Sequence, residues 1–150
     1  MKNRILLMAV IAFSVLAAAC EKQGEKKEGD IEVKGTYTYT VASRRAWSID
    51  GESGFVFPMY YVKKGSEDWK TIQVIDGFSY EPGYEYTIKA KLYVETVSDH
   101  SVLVDVTKLE LLDVISKVEK STEGLPEMLF YYEDYLDDPS LLDKLISGNQ

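Results

Sequence analysis

Few types of side chain in this 150-residue sequence could do covalent, metal or acid–base chemistry: one cysteine, one histidine and 25 acidic residues. His100 lies in a predicted turn between Asp99 and Ser101. Neighbouring side chains there point apart, so these three residues do not form a catalytic triad. Nothing singles out two of the carboxylates as a pair for glycoside hydrolysis, and one cysteine excludes an internal disulfide. The residues therefore predict a non-catalytic protein with no metal site and no cofactor.

Two arginines and a tryptophan stand close together in an otherwise acidic chain, at Arg44, Arg45 and Trp47. Guanidinium groups and aromatic rings are common in binding faces because they combine charge, hydrogen bonding and apolar surface. We therefore take these three residues as the candidate contact site for an anionic glycan or a protein partner. The alternative is that Trp47 caps one end of the folded domain while both arginines are solvated.

The lone cysteine, Cys20, follows a segment with the layout of a secretory signal. Two basic residues precede an apolar run over 5–16. This run of about twelve residues is too short for a membrane-spanning helix, which needs roughly twenty. The sequence Leu-Ala-Ala-Ala-Cys at 16–20 resembles the lipobox of bacterial lipoproteins. The resemblance implies that a signal peptide over 1–19 is removed and that Cys20 carries acyl chains such as palmitate. It places the protein in the bacterial cell envelope, anchored by lipid in the outer membrane rather than the inner one.

The charge and composition of the chain further restrict the classes of partner that it could bind. The net charge is −8, 45% of the residues are hydrophobic, and the ten residues over 21–30 are charged or polar apart from two glycines. The hydrophobic fraction supports a packed core, whereas the segment 20–30 is predicted to be a flexible tether with nothing to bury. An acidic chain neither binds nucleic acid through bulk charge nor adheres to anionic headgroups. The lipid anchor is therefore the predicted link to the membrane.

Between the tether and residue 118 the hydrophobic pattern has a period of two residues, which is typical of half-buried strands. Pro58 lacks an N–H donor and predicts a strand edge or a bulge. A jump of the apolar register near 107–108 predicts a β-bulge. Five strands with short turns must hide one face, so we expect a small antiparallel, barrel-like β domain over 31–118, with an OB-like barrel as one option. The predicted strands cover 31–41, 55–62, 69–75, 84–95 and 102–111.

The segment 119–150 changes to a helical period and predicts two short helices, around 128–136 and 141–146. It is strongly acidic, and Lys144 is the only basic residue after residue 121. Helices this short are marginal unless they dock on something. Two interpretations stay open: the helices pack on the β domain, or they form a detachable arm that binds a partner.

An aromatic and glycine-rich motif occupies residues 75–88, where the sequence reads IDGFSYEPGYEYTI. Proline and glycine at the second and third positions of 81–84 fit a type II turn, and core packing explains the aromatic rings. The motif resembles the signature of domain-of-unknown-function family 4377, I-x-G-F-x-Y-E-x-G-Y-x-Y-x-L, which a tryptophan precedes. The resemblance covers roughly 33–115 and implies a compact β domain of a bacterial lipoprotein without assigned catalytic residues. The matching residues are Trp69, Gly77, Phe78, Tyr80, Glu81, Pro82, Gly83, Tyr84 and Tyr86.

These patterns predict a membrane-anchored envelope lipoprotein whose β domain is a non-catalytic binding or structural module. The alternative is an accessory or inhibitor protein that docks on a periplasmic or surface enzyme. The predicted partners are the membrane, through the lipid anchor, and an envelope protein or glycan. Nucleic acid is excluded as a partner by the negative charge.

Overall fold

The computed structural model describes residues 24–148 and confirms a mainly β protein with two short C-terminal helices. The predicted signal peptide over 1–19 and the predicted lipid attachment at Cys20 lie outside the described residues. Within 24–148, no helix is long and apolar enough to cross a membrane. The elements in chain order are β1 Ile31–Ile49, β2 Val56–Lys64, β3 Lys70–Ile72, β4 Ile75–Asp76, β5 Tyr84–Asp99, β6 Val102–Glu119, α1 Tyr132–Asp137 and α2 Ser140–Ser147.

The strands form one sheet in the order β3-β2-β1-β5-β6-β4. Neighbouring strands are antiparallel except β4 and β6, which run parallel. The prediction of five antiparallel strands is therefore wrong. The strand expected over 69–75 is interrupted at Gln73 and Val74, because its first part pairs with β2 and its second part pairs with β6 at the opposite edge.

Two contacts show that this sheet is strongly curved. Its edge strands β3 and β4 are separated in the chain by two residues only, and the Leu109 N–H of β6 donates to the Val74 carbonyl at 3.1 Å. The turn after β5 also touches the turn after β1, with His100 Nε2 2.9 Å from Glu52 Oε1. The hydrogen-bond ladder itself does not close. The barrel and its OB-like form therefore stay predictions.

The contact between the two turns requires β1 to bend. β1 has 19 residues, which would span about 60 Å as a straight strand. β5 ends beside the beginning of β1, yet the turn that follows β5 reaches the turn that follows the end of β1. The pairing of β1 with β2 is irregular between Val41 and Arg45, and such irregularities let a strand bend.

The inner face of the curved sheet holds the main core. Alternate residues of β1, β2 and β5 point to this face, as a period of two residues predicts. The buried residues of this core are Tyr39, Val41, Val62, Ile72, Ile75, Tyr86, Ile88, Ala90 and Leu109. A second and smaller core lies on the outer face of β1 and β2, where Ala42, Ala46 and Tyr61 are buried.

The β-bulge predicted near 107–108 is wrong. Over 102–111, β6 pairs with β5 without interruption, so the apolar residues on either side of that point face opposite sides of the sheet. The register shifts instead at Leu112 and Ile115, each of which is an extra residue on β6. The change in apolar pattern therefore reflects a change in which face of the hairpin is covered.

Two predictions about proline and glycine are confirmed. Gly83 has φ +86°, which the third position of a type II turn over 81–84 requires. Pro58 lies in the part of β2 that pairs with β1 alone, because β3 pairs only with 60–62. Its missing N–H therefore interrupts no ladder on the second side of β2.

After β6 the chain returns to the outer face of the sheet. Residues of the tail pack on Ala42, Ala46 and Tyr61, and α1 lies against β1. The helix α2 follows α1 after a break of two residues. Neither helix contains a buried residue, so the segment before and around the beginning of α1 holds the tail in place.

Candidate functional site

The three candidate contact residues, Arg44, Arg45 and Trp47, lie at and just after the irregular stretch of β1. Pairing with β2 stops after Val41 and resumes at Arg45, which removes the ladder partners of the residues between them. Backbone groups freed in this way need other partners when they are buried. The stretch is well buried, since Ala42 and Ser43 are each 1% exposed.

Three side-chain or backbone groups from distant segments satisfy these freed backbone atoms. The Ala42 carbonyl accepts from the Tyr80 hydroxyl at 3.2 Å. The Ser43 N–H donates to Thr122 Oγ1 at 2.9 Å, and the Ser43 carbonyl accepts from the Gly83 N–H at 3.0 Å. The bulged strand is therefore completed by the 75–88 motif and by the tail.

Arg45 is held by one acidic residue of the tail. Its Nε lies 2.8 Å from Glu133 Oε1, and its backbone N–H donates to Glu133 Oε2 at 3.0 Å. The side chains of Arg45 and Glu133 are only 14% and 17% exposed. The guanidinium also lies over the rings of Tyr80 and Tyr132, at 4.5 and 5.0 Å from their centroids. This charge is neutralised and largely removed from water.

Arg44 makes a similar but more exposed contact. Its guanidinium pairs with the Asp134 carboxylate and lies 4.1 Å from the centroid of the Tyr131 ring. Asp134 also accepts the Tyr131 N–H at 2.8 Å, which closes the turn before α1.

Burial and the nearby Glu133 carboxylate raise the pKa of the Tyr80 hydroxyl. That hydroxyl therefore stays protonated as a donor to the bulged strand.

Trp47 stacks on a ring of the tail. Its ring and that of Phe130 are nearly parallel, at 6°, with centroids 4.9 Å apart, and Nε1 donates to the Phe130 carbonyl at 3.2 Å. Phe130 is buried. The predicted contact residues are therefore brought together, and the chain's own tail occupies all three. The arginines are not simply solvated, as the alternative interpretation expected.

We call residues 122–134 the docked segment. Its first residue, Thr122, exchanges two hydrogen bonds with Ser43 and donates to Glu85 at 2.9 Å. Its middle covers the outer core through Leu125 and Met128. Of the two interpretations of the tail, packing on the β domain is therefore the one that applies to the docked segment.

The sequence pattern alone does not identify Thr122, Phe130 or Glu133 as partners of β1. The available signal was charge: two adjacent arginines in an acidic chain, and two adjacent acids in a tail with one lysine. To predict that these arginines pair with these acids, one would have to know that β1 has a bulge here. The alternating pattern does not reveal that bulge.

The rings of the 75–88 motif pack at one end of the inner core. Phe78 meets the ring of Tyr86 at 4.9 Å and that of Tyr60 at 6.0 Å, both edge to face. The Tyr86 hydroxyl accepts the Glu81 N–H at 3.0 Å, and Glu81 pairs with Lys117. These contacts fit the prediction that core packing explains the motif's rings.

The tryptophan grouped with this motif lies elsewhere. Trp69 packs against the outer core, and the Lys63 ammonium lies 4.8 Å from its ring centroid. Tyr84 packs against the inner core. Gly77 and Gly83 both have positive φ values, which suit tight turns.

The helix α2 presents an apolar stripe that is only partly covered. Leu141, Leu142 and Leu145 are partly exposed, and Ile146 is 57% exposed. These positions recur at helical spacing and lie on one face. Lys144 is 3.4 Å from Asp138, so the cation of this segment already has an anionic partner.

A cavity of about 450 Å³ opens on another side of the sheet, between β3 and β6. Its floor belongs to the inner core and its rim is polar. Four ionisable residues lie on the rim: Lys64, Glu67, Lys70 and Asp105. The floor residues are Tyr39, Val62, Ile72, Leu92 and Leu109.

Other polar clusters are small. His100 contacts Glu52 and Asp99, and these carboxylates raise its pKa. The Tyr93 hydroxyl hydrogen-bonds to Asp76, which with burial raises the pKa of Tyr93 to about 12. Within the part of the chain that the structure describes, no three His, Cys, Asp or Glu residues could hold a metal ion together.

Comparison of the chain with known proteins found no relative. No protein-family model, no curated protein and no solved structure matches the chain. The resemblance of the 75–88 motif to family 4377 therefore stays a prediction.

Proposed function

We propose that this chain is a membrane-anchored envelope lipoprotein whose domain is a non-catalytic docking module. In this proposal acyl chains on Cys20 hold the protein in the envelope, and α2 binds a protein partner. The lipobox-like sequence at 16–20 supports the anchor. The docked segment supports the second part, because it fixes the position from which α2 extends.

The observation that carries this proposal is that the basic and aromatic cluster is used inside the molecule. Arg44, Arg45 and Trp47 are engaged by Asp134, Glu133 and Phe130. An outside ligand would have to displace those contacts. By contrast, α2 contains no buried residue, and Ile146 of its apolar stripe is 57% exposed. The stripe is therefore the better candidate for the contact surface.

The charges around α2 define the kind of partner. Asp137, Asp138 and Asp143 flank the stripe, and Lys144 is the single nearby cation. An amphipathic helix binds by laying its apolar face into a groove. We therefore propose a protein partner with an apolar groove bordered by lysine or arginine. An accessory or inhibitor role would use the same surface, with an envelope enzyme as the partner.

We also propose that the curved sheet is an OB-like barrel that serves as the rigid base. If β3 and β4 are treated as one interrupted strand, five strands remain in the sheet. This interrupted strand pairs through β3 with β2 at one edge of the sheet and through β4 with β6 at the other edge. The contact between His100 and Glu52 supports this form, because two long hairpins of a small barrel then meet at their turns. The motif over 75–88 would then be a folding signature.

Crosslinking in cells tests the docking proposal. A photoreactive residue at 142 in the full chain should capture one envelope protein, which is then purified and its affinity measured. Leu145→Asp should weaken that affinity at least tenfold while the chain stays folded, since Leu145 is only partly buried. Leu129→Asp is the matched control, because Leu129 is 81% exposed outside α2. Equal binding by Leu145→Asp and the unchanged chain would refute docking through α2.

The anchor is tested separately. Metabolic labelling with palmitate should mark the unchanged chain and leave Cys20→Ser unlabelled. Cell fractionation should move the variant out of the membrane fraction. An unlabelled wild-type chain would overturn the anchor without affecting the docking proposal.

A further inference from the structure

We propose a second binding site, separate from α2: the cavity between β3 and β6 takes one uncharged amphiphile, a short hydrocarbon chain with a hydroxyl head group. The proposal comes from the shape of the sheet, the lining of the cavity and the state of its charges. It goes beyond the docking function and does not depend on it.

The cavity exists because the two ends of the sheet diverge. β3 pairs only with β2, and β4 pairs with β6 only at Leu109 and Glu110. Thr71 and Ile72 of β3, and Gln73 directly after it, lie on one side of the cavity opening. Facing them across the opening lie 105–107 of β6, which also line the cavity. The opening is therefore a slit between two strand edges that are not paired with each other.

The floor of the slit is apolar and well formed. Val62 and Ile72 are each 6% exposed, and Leu109 is 1% exposed. The volume of about 450 Å³ lies within the range of roughly 300–1,000 Å³ that is typical of small-molecule sites. A hydrocarbon chain would replace water against Leu92 and Val106, which line the cavity and are partly exposed, and this is favourable in proportion to the apolar area covered.

The charges on the rim are already paired, which favours an uncharged ligand. Lys64 and Lys70 lie 2.9 and 3.2 Å from the Glu67 carboxylate. Asp105 pairs with Lys26. The lining thus contains two cations and two anions, each with a partner in the described part of the chain. An ionic head group would have to break one of these pairs.

Tyr39 supplies the polar contact for the head group. Its side chain lines the cavity and is 6% exposed, and no side-chain hydrogen bond among residues 24–148 involves its hydroxyl. Every fully buried side-chain nitrogen or oxygen of those residues has a partner. The Tyr39 hydroxyl must therefore reach open space, and the cavity beside it is where a ligand hydroxyl could meet it.

Fluorescence titration of the full chain tests the site. Diphenylhexatriene, which has no hydroxyl group, serves as the probe, and decanol, decanoate and decylamine serve as competitors. We expect decanol to displace the probe at concentrations at least tenfold lower than either ion. Absence of saturable probe binding, or equal displacement by decanoate, would overturn the proposal.

Two variants locate the binding. Thr107→Trp places a large ring at the rim and should weaken decanol binding at least tenfold, whereas Thr38→Trp, on an exposed position of β1 that does not line the cavity, should leave it unchanged. Tyr39→Phe should weaken decanol about fivefold and leave the probe unaffected. Unchanged binding by Thr107→Trp would place the ligand elsewhere and refute the site. Leu145→Asp should bind decanol normally, which separates this outcome from that of the docking experiment.

Discussion

Only 14% of the Arg45 side chain is exposed. A charge removed from water persists only where other polar groups replace the lost hydration. Glu133 Oε1 and the rings of Tyr80 and Tyr132 do this. Arg44 is 36% exposed and depends less on its own acidic partner, because water screens that pair.

Glu133→Gln should therefore destabilise the protein. Glutamine keeps the shape of the side chain but removes the charge that neutralises Arg45, and we expect the free energy of unfolding to fall by about 1–3 kcal/mol. Urea unfolding followed by tryptophan fluorescence measures this, since Trp47 stacks on the docked segment.

The control is Glu81→Gln, which removes one charge from an exposed pair with Lys117. We expect a loss within about 0.5 kcal/mol there. Losses of the same small size from both substitutions would mean that the Arg45 contact does not hold the tail.

At the scale of elements, the two long hairpins meet at their turns. His100 and Ser101 form the turn of the β5–β6 hairpin with φ +47° and +69°, the left-handed conformation of tight two-residue turns. Glu52 belongs to the turn between β1 and β2. The carboxylate of Glu52 and then that of Asp99 raise the pKa of His100.

The pKa of His100 therefore tests the curvature of the sheet. It is the only histidine, so its ring signals can be followed by NMR without overlap from another. We expect a pKa above 6.5, and we expect Glu52→Gln to lower it toward 6.5. Because the folded pKa is raised, the contact stabilises the fold below pH 6.5 and is lost as the pH rises through that raised value.

Glu119→Gln, at the far end of β6, should leave the His100 pKa unchanged. If Glu52→Gln also left it unchanged, the two turns would not meet in solution, and the bend inferred for β1 would be wrong.

The sequence predicted the elements better than their junctions. Regular alternation located β1, β5 and β6, and helical spacing located α1 and α2 to within a few residues. β1 continues to Ile49 rather than ending at Val41, because buried residues without ladder partners break the alternation there. The docked segment was missed for the same reason, since its partners are the backbone groups of that bulge.

At the scale of the molecule, the stability of the sheet is expected to be concentrated in β5 and its two neighbours, β1 and β6. β5 pairs with β6 along its whole length and with β1 from Tyr86 to Glu95. β3 has three residues and a partner on one side only. Edge strands with few paired groups open more readily than central ones.

Hydrogen exchange should reproduce this gradient. We expect amide protons of 86–93 in β5 to exchange at least about a hundredfold more slowly than those of β3, because central strands open only with the whole domain. Mass spectrometry of peptides covering the two strands measures the difference. Equal protection of β3 would mean that the ladder closes in solution and that the slit is absent.

The reciprocal hydrogen bonds between Ser43 and Thr122 join residues 79 positions apart. A ribosome that has released only the first hundred residues has therefore made a strand whose bulge lacks its partner in the tail, although Tyr80 and Gly83 are already present. We expect such a nascent chain to fold less tightly than the full chain, because the buried Ser43 N–H has no acceptor until Thr122 is made.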